Sequence, residues 1–587
     1  MQSYTPPIAD MRFVLEAFDY AGQVQSIEAF ADYDVDTIES IITEIGRFCA
    51  QEMLPLNGPG DSQGVSFDPE TYSVSTPDGF KELYTKFLES GFFGLSQPMD
   101  FGGAGAPHTV GFLVSEMTTA TNKSFIMCPG LTNGLIDALL VHGTDEQKEY
   151  YLPKMISGEW SGTMCLTEPQ CGTDLGLLTT KATPEGEHFR LSGTKIWITF
   201  GEHDMVDNII HLVLARLPGA PEGIRGVSVF LVPKFLEDGT RNGVTCGGLE
   251  HKMGIHASPT CVMNFDNAVG YMVGEPHKGM RSMFTMMNAA RLQVGVEGTA
   301  LSDIAYQAAL RYAKDRKQGR SLDPGKQDPD SKADNILIHP DVRRMLLNIK
   351  STNEGLRGLA VYIAQHLDRS HHLEDKDARK VSNDIVALLT PVIKSYGSER
   401  GFQNISEAMQ VTGGAGYTTD WPIEQYLRDS RIAMIYEGTN HIQALDLVGR
   451  KLPKDNGRLL RAFQAEVTGL LREVKGDENL AEYAELLKAE SKRLTAVTME
   501  MGMKAFQDAE EGAAAASNYL NLFAMTTLSF IWLKLLQAAY AGDSEQHLAK
   551  RQTGHFFFKM VLPEADVYAK RIQAGKAPMM DFNPDFF

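Results

Sequence analysis

Between Ser161 and about residue 280 the chain changes its hydrophobic period, and no other feature limits the fold as strongly. Phe189, Leu191, Ile196 and Ile198, then Val227, Val229 and Leu231, alternate in twos and are punctuated by glycines, the pattern of strands. On both sides apolar residues recur at helical spacing. Ile38, Ile41, Ile42, Ile45 and Phe48 mark one helix between Asp34 and Leu54, and Gly79 to Ser90 marks a second. The turn-rich loop Gln97 to Pro107 precedes a long small-residue helical pattern ending near His142. Beyond Lys278, helical patterns cover Met280 to Arg316, Pro340 to about His366 and Asp377 to Thr412. The polar segment Asp323 to Asn335, with two prolines, reads as an exposed insertion between them.

The predicted architecture is therefore mainly α with a central β-domain. Its expected parts are an N-terminal extension (1–33), a helical domain (34–160), a β-domain (161–280) and a second helical domain (281–451). Leu452-Pro453 and Lys454 to Gly457 read as a linker. After it, Leu459, Phe463, Val467, Leu470 and Leu471 form one apolar stripe that opens a last helical domain, 452–587. No tandem repeat at solenoid periods is visible.

A chain of 587 residues exceeds one core and suggests three or four domains. The net charge of -20 argues against nucleic-acid binding while leaving room for a local basic cluster that takes an anionic small ligand. Cysteines 49, 128, 165, 171, 246 and 261 contain no Cys-x-x-Cys pair, so neither a disulfide framework nor a thiolate metal site is suggested. Met1 to Phe18 carries Asp10 and Glu16 and lacks a signal peptide's basic start and apolar core, so the expected compartment is the cytoplasm. The apolar window Thr526 to Tyr540 is interrupted by Lys534 and falls short of the roughly 20 residues needed to cross a bilayer, so it reads as a buried helix and no membrane segment is expected.

Several segments could carry chemistry. Glu437 lies between the apolar Ile432, Met434 and Ile435 and a Gly-Thr-Asn turn that opens an amphipathic helix. A poorly solvated carboxylate is prepared to accept a proton; the ordinary alternative is a first-turn acid favoured by the helix dipole. Cys165 to Asp174 is a polar turn with the hydroxyls of Thr167 and Thr173, able to line a polar ring system or simply to end a strand. On a strand, Trp197 and Thr199 share a face, which is either a recognition surface or part of a core. Asn288 and Arg291 stand one helical turn apart and can be solvated or can hold a ligand. The basic helix end Tyr312 to Arg320 suits C-terminal carbonyls or a phosphate. Gln410 to Tyr417 holds glycines that permit close backbone approach or a helix-ending turn; it is not Gly-x-Gly-x-x-Gly after a strand, so a Rossmann site is not supported.

In this order, these segments resemble the acyl-CoA dehydrogenase family, and the resemblance runs from Asp34 to Lys451. It implies a helical N-domain, a β-barrel or sandwich middle domain and a four-helix-bundle domain, here followed by a C-terminal helical extension. It implies FAD as cofactor and no metal. By resemblance Thr167 and Thr173 contact the flavin, Thr173 also lies near the CoA thioester, and Trp197 and Thr199 stand beside the ring system. Arg316 and Gln318, and Gln410, Gly413 and Gly414, reach the FAD of a neighbouring subunit, which implies a homo-oligomer, dimer or tetramer. Asn288, Arg291 and Gly438 border the substrate, and Thr439 and His441 face the FAD diphosphate. The chain departs from the family pattern at Gln170-Cys171, at the missing aromatic after Gln318, and at His441, where glutamine is usual. Members with a base one residue before the arginine find Ala290 here, which leaves Glu437 as the one matched base.

The implied reaction is dehydrogenation of an acyl-CoA to the trans-2-enoyl-CoA. Glu437 takes the α-proton, and its backbone amide helps hold the enolate oxygen. The implied electron acceptor is electron-transferring flavoprotein. The length and helical tail resemble a bacterial subgroup acting on 3-methylmercaptopropionyl-CoA, with straight-chain acyl-CoA as the broader case. Two rivals stand beside it: an oxidase that passes electrons to oxygen, and a non-catalytic flavoprotein or assembly partner.

Overall fold

The computed structural model describes residues 2–587. Helices α1 (Ile8–Ala17), α2 (Val35–Phe48) and α3 (Leu54–Gln63) lead to a small hairpin, β1 (Ser66–Asp68) and β2 (Ser73–Ser75), then to α4 (Phe80–Glu89), α5 (His108–His142) and α6 (Asp145–Ile156). Seven strands follow: β3 (Trp160–Cys165), β4 (Lys181–Glu185), β5 (His188–Thr199), β6 (Asn208–Arg216), β7 (Val227–Pro233), β8 (Val244–Leu249) and β9 (Thr260–Met272). The rest is helical: α7 (Gly279–Asp315), α8 (Pro340–His372), α9 (Lys376–Thr412), α10 (Ile423–Arg431), α11 (Asn440–Asp446), α12 (Arg458–Glu473), α13 (Ala481–Gln507), α14 (Ala509–Tyr540), α15 (Glu545–Phe556), α16 (Glu564–Gln573) and α17 (Ala577–Met580). The β1–β2 hairpin went unread in the sequence because strands of three residues carry almost no period.

These elements form two units. The first holds residues 48–106 and 121–290 and is built on the strands. Its sheet closes on itself: β6 pairs with β4, β4 with β5, β5 with β9, β9 with β7, and β7 returns to β6, while β3 and β8 add to β6 and β9. Period two explains the packing. Ile210, Leu212 and Leu214 of β6, with Val229 and Leu231 of β7, face outward onto Leu135, Leu139 and Tyr151 of α5 and α6. Their alternates Val213, Ala215, Phe230 and Val232 fill the barrel interior with Leu191 and Phe265. Each fully buried Val, Leu, Ile or Phe among them stabilises the fold by about 1.5–3 kcal/mol. Both faces of β6 and β7 are therefore covered, which is why these two strands read as nearly unbroken apolar runs.

The small-residue pattern before His142 forms α5, broken at Asn122 (φ -158°, ψ 82°). Asn122 Oδ1 accepts the Phe125 amide (3.1 Å) and so caps the second half of the helix.

The second unit holds residues up to Arg47, 107–120 and 291–587. Here α7 and α9 touch through glycine: a Cβ on Gly298 would lie 2.1 Å from the Gly397 carbonyl oxygen, so only glycine permits this crossing. The helices after Leu452 belong to this same unit. Trp532, fully buried on α14, donates from Nε1 to the Ser351 carbonyl of α8 (3.1 Å). Lys550 of α15 meets Asp10 and Glu354, and Arg400 of α9 meets Glu564 of α16. The expected linker is thus structurally continuous with what precedes it: Leu452 is buried and a short 3-10 turn covers Lys454–Asn456. Two helices, α5 and α14, are long and apolar enough to cross a membrane, but 83% of the apolar window of α14 is buried inside the protein. The segment Asp323 to Asn335 is largely exposed, yet it is ordered around the buried Asp334 carboxylate, which accepts the amides of Ser321 (2.6 Å) and Asp328 (2.7 Å).

Candidate active site

Helix α11 starts late. Thr439 is its N-cap, with Oγ1 accepting the Ile442 amide (3.3 Å), and Asn440 is its first residue. Glu437 therefore lies two residues before the cap, outside the helix, and the first-turn reading of this acid does not hold. Its backbone is left-handed (φ 56°), as is that of Gly438 (φ 83°). A side-chain-bearing residue in that region costs about 1–2 kcal/mol. Glycine suits position 438 because of this left-handed backbone, and a Cβ there would also force Gln443 Nε2, 2.8 Å away, to move off the turn it holds.

Side chains from three elements hold this reversal. Arg291 Nε (3.2 Å) and Gln443 Nε2 (3.1 Å) donate to the Glu437 carbonyl. Lys394 Nζ (2.8 Å) and Gln443 Nε2 (3.3 Å) donate to the Gly438 carbonyl. Lys394 Nζ (3.0 Å) and Ser398 Oγ (3.2 Å) also donate to Asn440 Oδ1, whose Nδ2 donates to the Ser395 carbonyl (3.1 Å). Such over-determination keeps a strained backbone in place.

The carboxylate itself is treated differently. Among the described residues no hydrogen bond or ion pair reaches the Glu437 carboxylate. The residue keeps partial exposure, but loss of hydration at its carboxyl is the dominant influence and pushes the pKa up to about 7. Arg291 and Lys394 pull it down, and Glu297 pushes it up. Glu297, itself buried, accepts a hydrogen bond from the Tyr436 hydroxyl. Lys394 is brought down to about 8 by burial, against the pull of Glu437 and Glu297. A carboxyl near neutrality, unpaired and aimed by a fixed turn, can take a proton and return it.

The strand unit presents the second set of predicted residues. Trp197 has φ 61° and lies where the β5–β9 register slips between Lys195 and Ile198. This bulge leaves Trp197 60% exposed while Ile198 is buried, so the indole is a surface plane and not part of the core. Thr199, two residues on, is half-buried. The Ile196 amide donates to the Thr167 carbonyl (2.9 Å), joining this strand to the Cys165–Asp174 turn. The joint is clamped by a buried ion pair: Lys195 Nζ donates to Glu168 Oε1 (2.8 Å) and to the Leu166 carbonyl (3.0 Å). Thr173 is exposed at the tip of the turn.

The remaining predicted residues are placed as follows. Asn288 and Arg291 are one turn apart on α7 but differ in environment, Asn288 exposed and Arg291 buried against the Glu437 carbonyl. Arg316 and Gln318 are exposed just after α7, in a segment held by the Gln318 amide to the Asp334 carbonyl (2.9 Å). Gln410 is exposed on the last turn of α9, and Gly413 (φ 59°) ends that helix. Gly414 follows without a positive φ, and a Cβ there would meet nothing within 4 Å. The chain's own packing thus does not explain this glycine. The exposed Arg316, Gln318 and Gln410 side chains of the helical unit are donors suited to a phosphate-bearing ligand. In the strand unit, by itself, the outward Trp197 indole offers a plane on which an aromatic ring can stack. Thr439 Oγ1 accepts the cap bond and keeps its O–H to donate, and His441 Nδ1 pairs with Ser517 Oγ of α14 (3.0 Å).

Sequence reasoning did not find Lys394, Gln443, Glu297 or Ser517. Lys394 left a trace, a lone lysine inside the apolar run Ile385 to Tyr396 of a helix, where unpaired lysines are rare. Among the described residues no cluster of three or more His, Cys, Asp or Glu side chains could hold a metal ion.

Comparison with known proteins gives a consistent picture. Family models match residues 36–159 (acyl-CoA dehydrogenase, N-terminal domain), 163–268 (middle domain) and 277–452 (C-terminal domain), and a further model, acetyl-CoA dehydrogenase C-terminal like, matches 460–583. The chain is 41% identical to the 3-methylmercaptopropionyl-CoA dehydrogenase of Ruegeria pomeroyi over 97% of its own length and 98% of that protein's. It is 36% identical to a broad-specificity linear acyl-CoA dehydrogenase of Mycobacterium tuberculosis over 89% of its length and 84% of the relative's. Two solved structures share the fold. An acyl-CoA dehydrogenase of Bacillus anthracis complexed with FAD has a TM-score of 0.76 at 24% identity, covering 95% of this chain and 91% of that one. Caenorhabditis elegans ACDH-11 with C11-CoA has a TM-score of 0.77 at 19% identity, covering 99% and 96%.

Proposed function

Because the chain belongs to the acyl-CoA dehydrogenase family, we propose that it binds FAD and oxidises a saturated acyl-CoA thioester to the trans-2-enoyl-CoA, with Glu437 as the base. The observation that carries this reading is the Glu437 carboxylate: unpaired, near neutrality, and carried on a left-handed turn fixed by Arg291, Lys394 and Gln443. Bound FAD supplies the acceptor for the two electrons and the β-hydrogen. Glu437 removes the α-proton, which a thioester alone acidifies too little for water to take. Its backbone amide donates to the developing enolate oxygen, and Arg291 holds the adjoining peptide against rotation. Trp197 and Thr199 bind the flavin ring beside Thr167 and Thr173, while Thr173, Asn288 and Gly438 border the thioester. Arg316, Gln318, Gln410, Gly413, Gly414, Thr439 and His441 take the diphosphate and adenosine side. The first three present exposed side chains, as contacts to a second copy's cofactor require, and this supports a homo-oligomer.

The leading substrate is 3-methylmercaptopropionyl-CoA, because the relative named for it matches this chain end to end. Electron-transferring flavoprotein is the proposed acceptor. The test is anaerobic flavin bleaching by a panel of thioesters of graded length that includes 3-methylmercaptopropionyl-CoA. Bleaching by a saturated thioester, lost in Glu437→Gln with bound-flavin absorbance retained, supports the reading; bleaching that survives in Glu437→Gln removes Glu437 as the base.

A further inference from the structure

We propose that Lys394 is a positioning residue of the reaction, a buried cation that fixes the Glu437-Gly438 reversal from below and sets the charge against which the base works. The proposal rests on Glu437 being that base. Lys394 lies in the middle of α9, where Leu388 to Ser398 are all buried, and its own side chain is fully covered. An ammonium in such a place is strongly unfavourable unless its N–H groups and charge are answered.

The answer it finds is not an ordinary ion pair. Two of its three N–H groups go to the Gly438 carbonyl (2.8 Å) and Asn440 Oδ1 (3.0 Å), one on each side of Thr439. A single rigid point therefore ties together the second left-handed residue of the turn and the first residue of α11. Arg291 and Gln443 hold the other carbonyl, so the peptide that carries the base is gripped at both ends. The charge of Lys394 is left facing Glu437 and Glu297 and is not consumed by either. Glu437 in turn faces Arg291, Lys394 and Glu297, with the Tyr436 phenol next along the chain.

A lysine that merely filled space could be replaced by methionine with no change in the base. A lysine that positions and polarises cannot, and the two possibilities separate in the pH profile. Lys394 lowers the proton affinity of Glu437, so its removal moves the acidic limb of kcat/KM to higher pH. Looser placement of the base lowers kcat with little change in KM.

The experiment uses the purified FAD-loaded enzyme with any thioester that bleaches wild type, and compares Lys394→Met, Lys394→Arg and Glu437→Gln. Lys394→Met is expected to keep bound-flavin absorbance, lose about 10–100-fold in kcat, and move the acidic limb upward. Lys394→Arg is expected to keep the limb near its wild-type position. The proposal is overturned if Lys394→Met shows wild-type kcat and limb, or if Lys394→Arg moves the limb as far as Lys394→Met does. Should Lys394→Met fail to retain flavin, the Lys394→Arg profile alone decides: a wild-type limb with lowered kcat supports the role, and a displaced limb overturns it. Activity surviving in Glu437→Gln instead defeats the assignment of the base, an outcome that the lysine variants cannot produce.

Discussion

Each unit of this protein buries a lysine near a glutamate, and the two pairs are used in opposite ways. In the strand unit Lys195 and Glu168 are in direct contact (2.8 Å), and the carboxylate also accepts the amides of Thr179 (2.7 Å) and Thr180 (3.0 Å) and the hydroxyls of both. Burial pushes this carboxyl up, but Lys195 and the threonine donors overcome it and hold the pKa at about 2. In the helical unit Lys394 spends its N–H groups on a carbonyl and an amide, and the Glu437 carboxylate receives none. The result is about 7 in place of about 2. The two carboxyls differ both in how far burial strips their hydration and in the hydrogen bonds they receive: Lys195 and the threonines donate to Glu168, whereas the N–H groups of Lys394 go to neighbouring oxygens and not to Glu437.

The strongest way to break this comparison is to remove the carboxylate proposed as the base. Glu437→Gln is expected to lower the rate of anaerobic flavin reduction by about 10²–10⁴-fold, the range lost with a general base, and to leave the folded protein and its bound flavin intact. Because the wild-type carboxylate is unpaired and disfavoured by burial, its amide counterpart should melt at the same temperature or higher. A variant that unfolds would mean that Glu437 carries structure as Glu168 does.

Glu168→Gln should do the reverse. It leaves Lys195 buried without its counter-charge, and breaking such a pair costs about 3–5 kcal/mol. The measurement is urea or thermal unfolding, and the expected result is a large loss of stability. Adding Lys195→Met to Glu168→Gln should recover part of that loss, since the uncompensated charge is then gone. An unchanged midpoint in Glu168→Gln would remove the contrast between the two sites.

The two sites are not equally legible in the sequence. The strands of the barrel and the long helices were readable because period two and helical spacing are local properties, as Val227, Val229 and Leu231 show. Glu437 stands out in the sequence as a candidate because its apolar neighbours and the following glycine are adjacent to it, and its role as base is the proposal made above. Its left-handed backbone was not: nothing local marks a glutamate for φ 56°, which is imposed by Arg291, Lys394 and Gln443 from elsewhere. Trp197 was found as a candidate, but whether it faced solvent or a core depended on a register slip between β5 and β9. Lys394 and Ser517 contribute through partners dozens of residues away, and no periodicity carries that information.

The two carboxylates should also tilt stability against pH in opposite directions. Glu168 is depressed in the folded state, so its contribution is fully present above the ordinary carboxylate value and is lost as pH falls towards about 2. Glu437 is raised, so the unfolded chain releases its proton first and stability falls as pH rises from the ordinary range towards about 7. Thermal midpoints of wild type and Glu437→Gln between pH 4.5 and 7.5 test the second slope. The gap between them should widen in favour of the variant as pH rises and then level off, and a constant gap would show that Glu437 titrates like an ordinary surface acid.

The smallest effect is expected where both partners are exposed. His441 takes the place where glutamine is usual in the family, and its Nδ1 meets Ser517 Oγ at 3.0 Å, so α14 of the C-terminal region orients a side chain proposed to face the FAD diphosphate. An exposed hydrogen bond of this kind contributes about 0.5–1.5 kcal/mol at most. If Ser517 only steadies the imidazole, Ser517→Ala should weaken FAD rebinding to the apoprotein by about two- to tenfold, leave the reduction rate of the loaded enzyme unchanged, and be masked in a His441→Gln background. Equal losses from Ser517→Ala with either residue at 441 would detach α14 from the cofactor turn and confine the contrast between the two lysine–glutamate pairs to the buried sites.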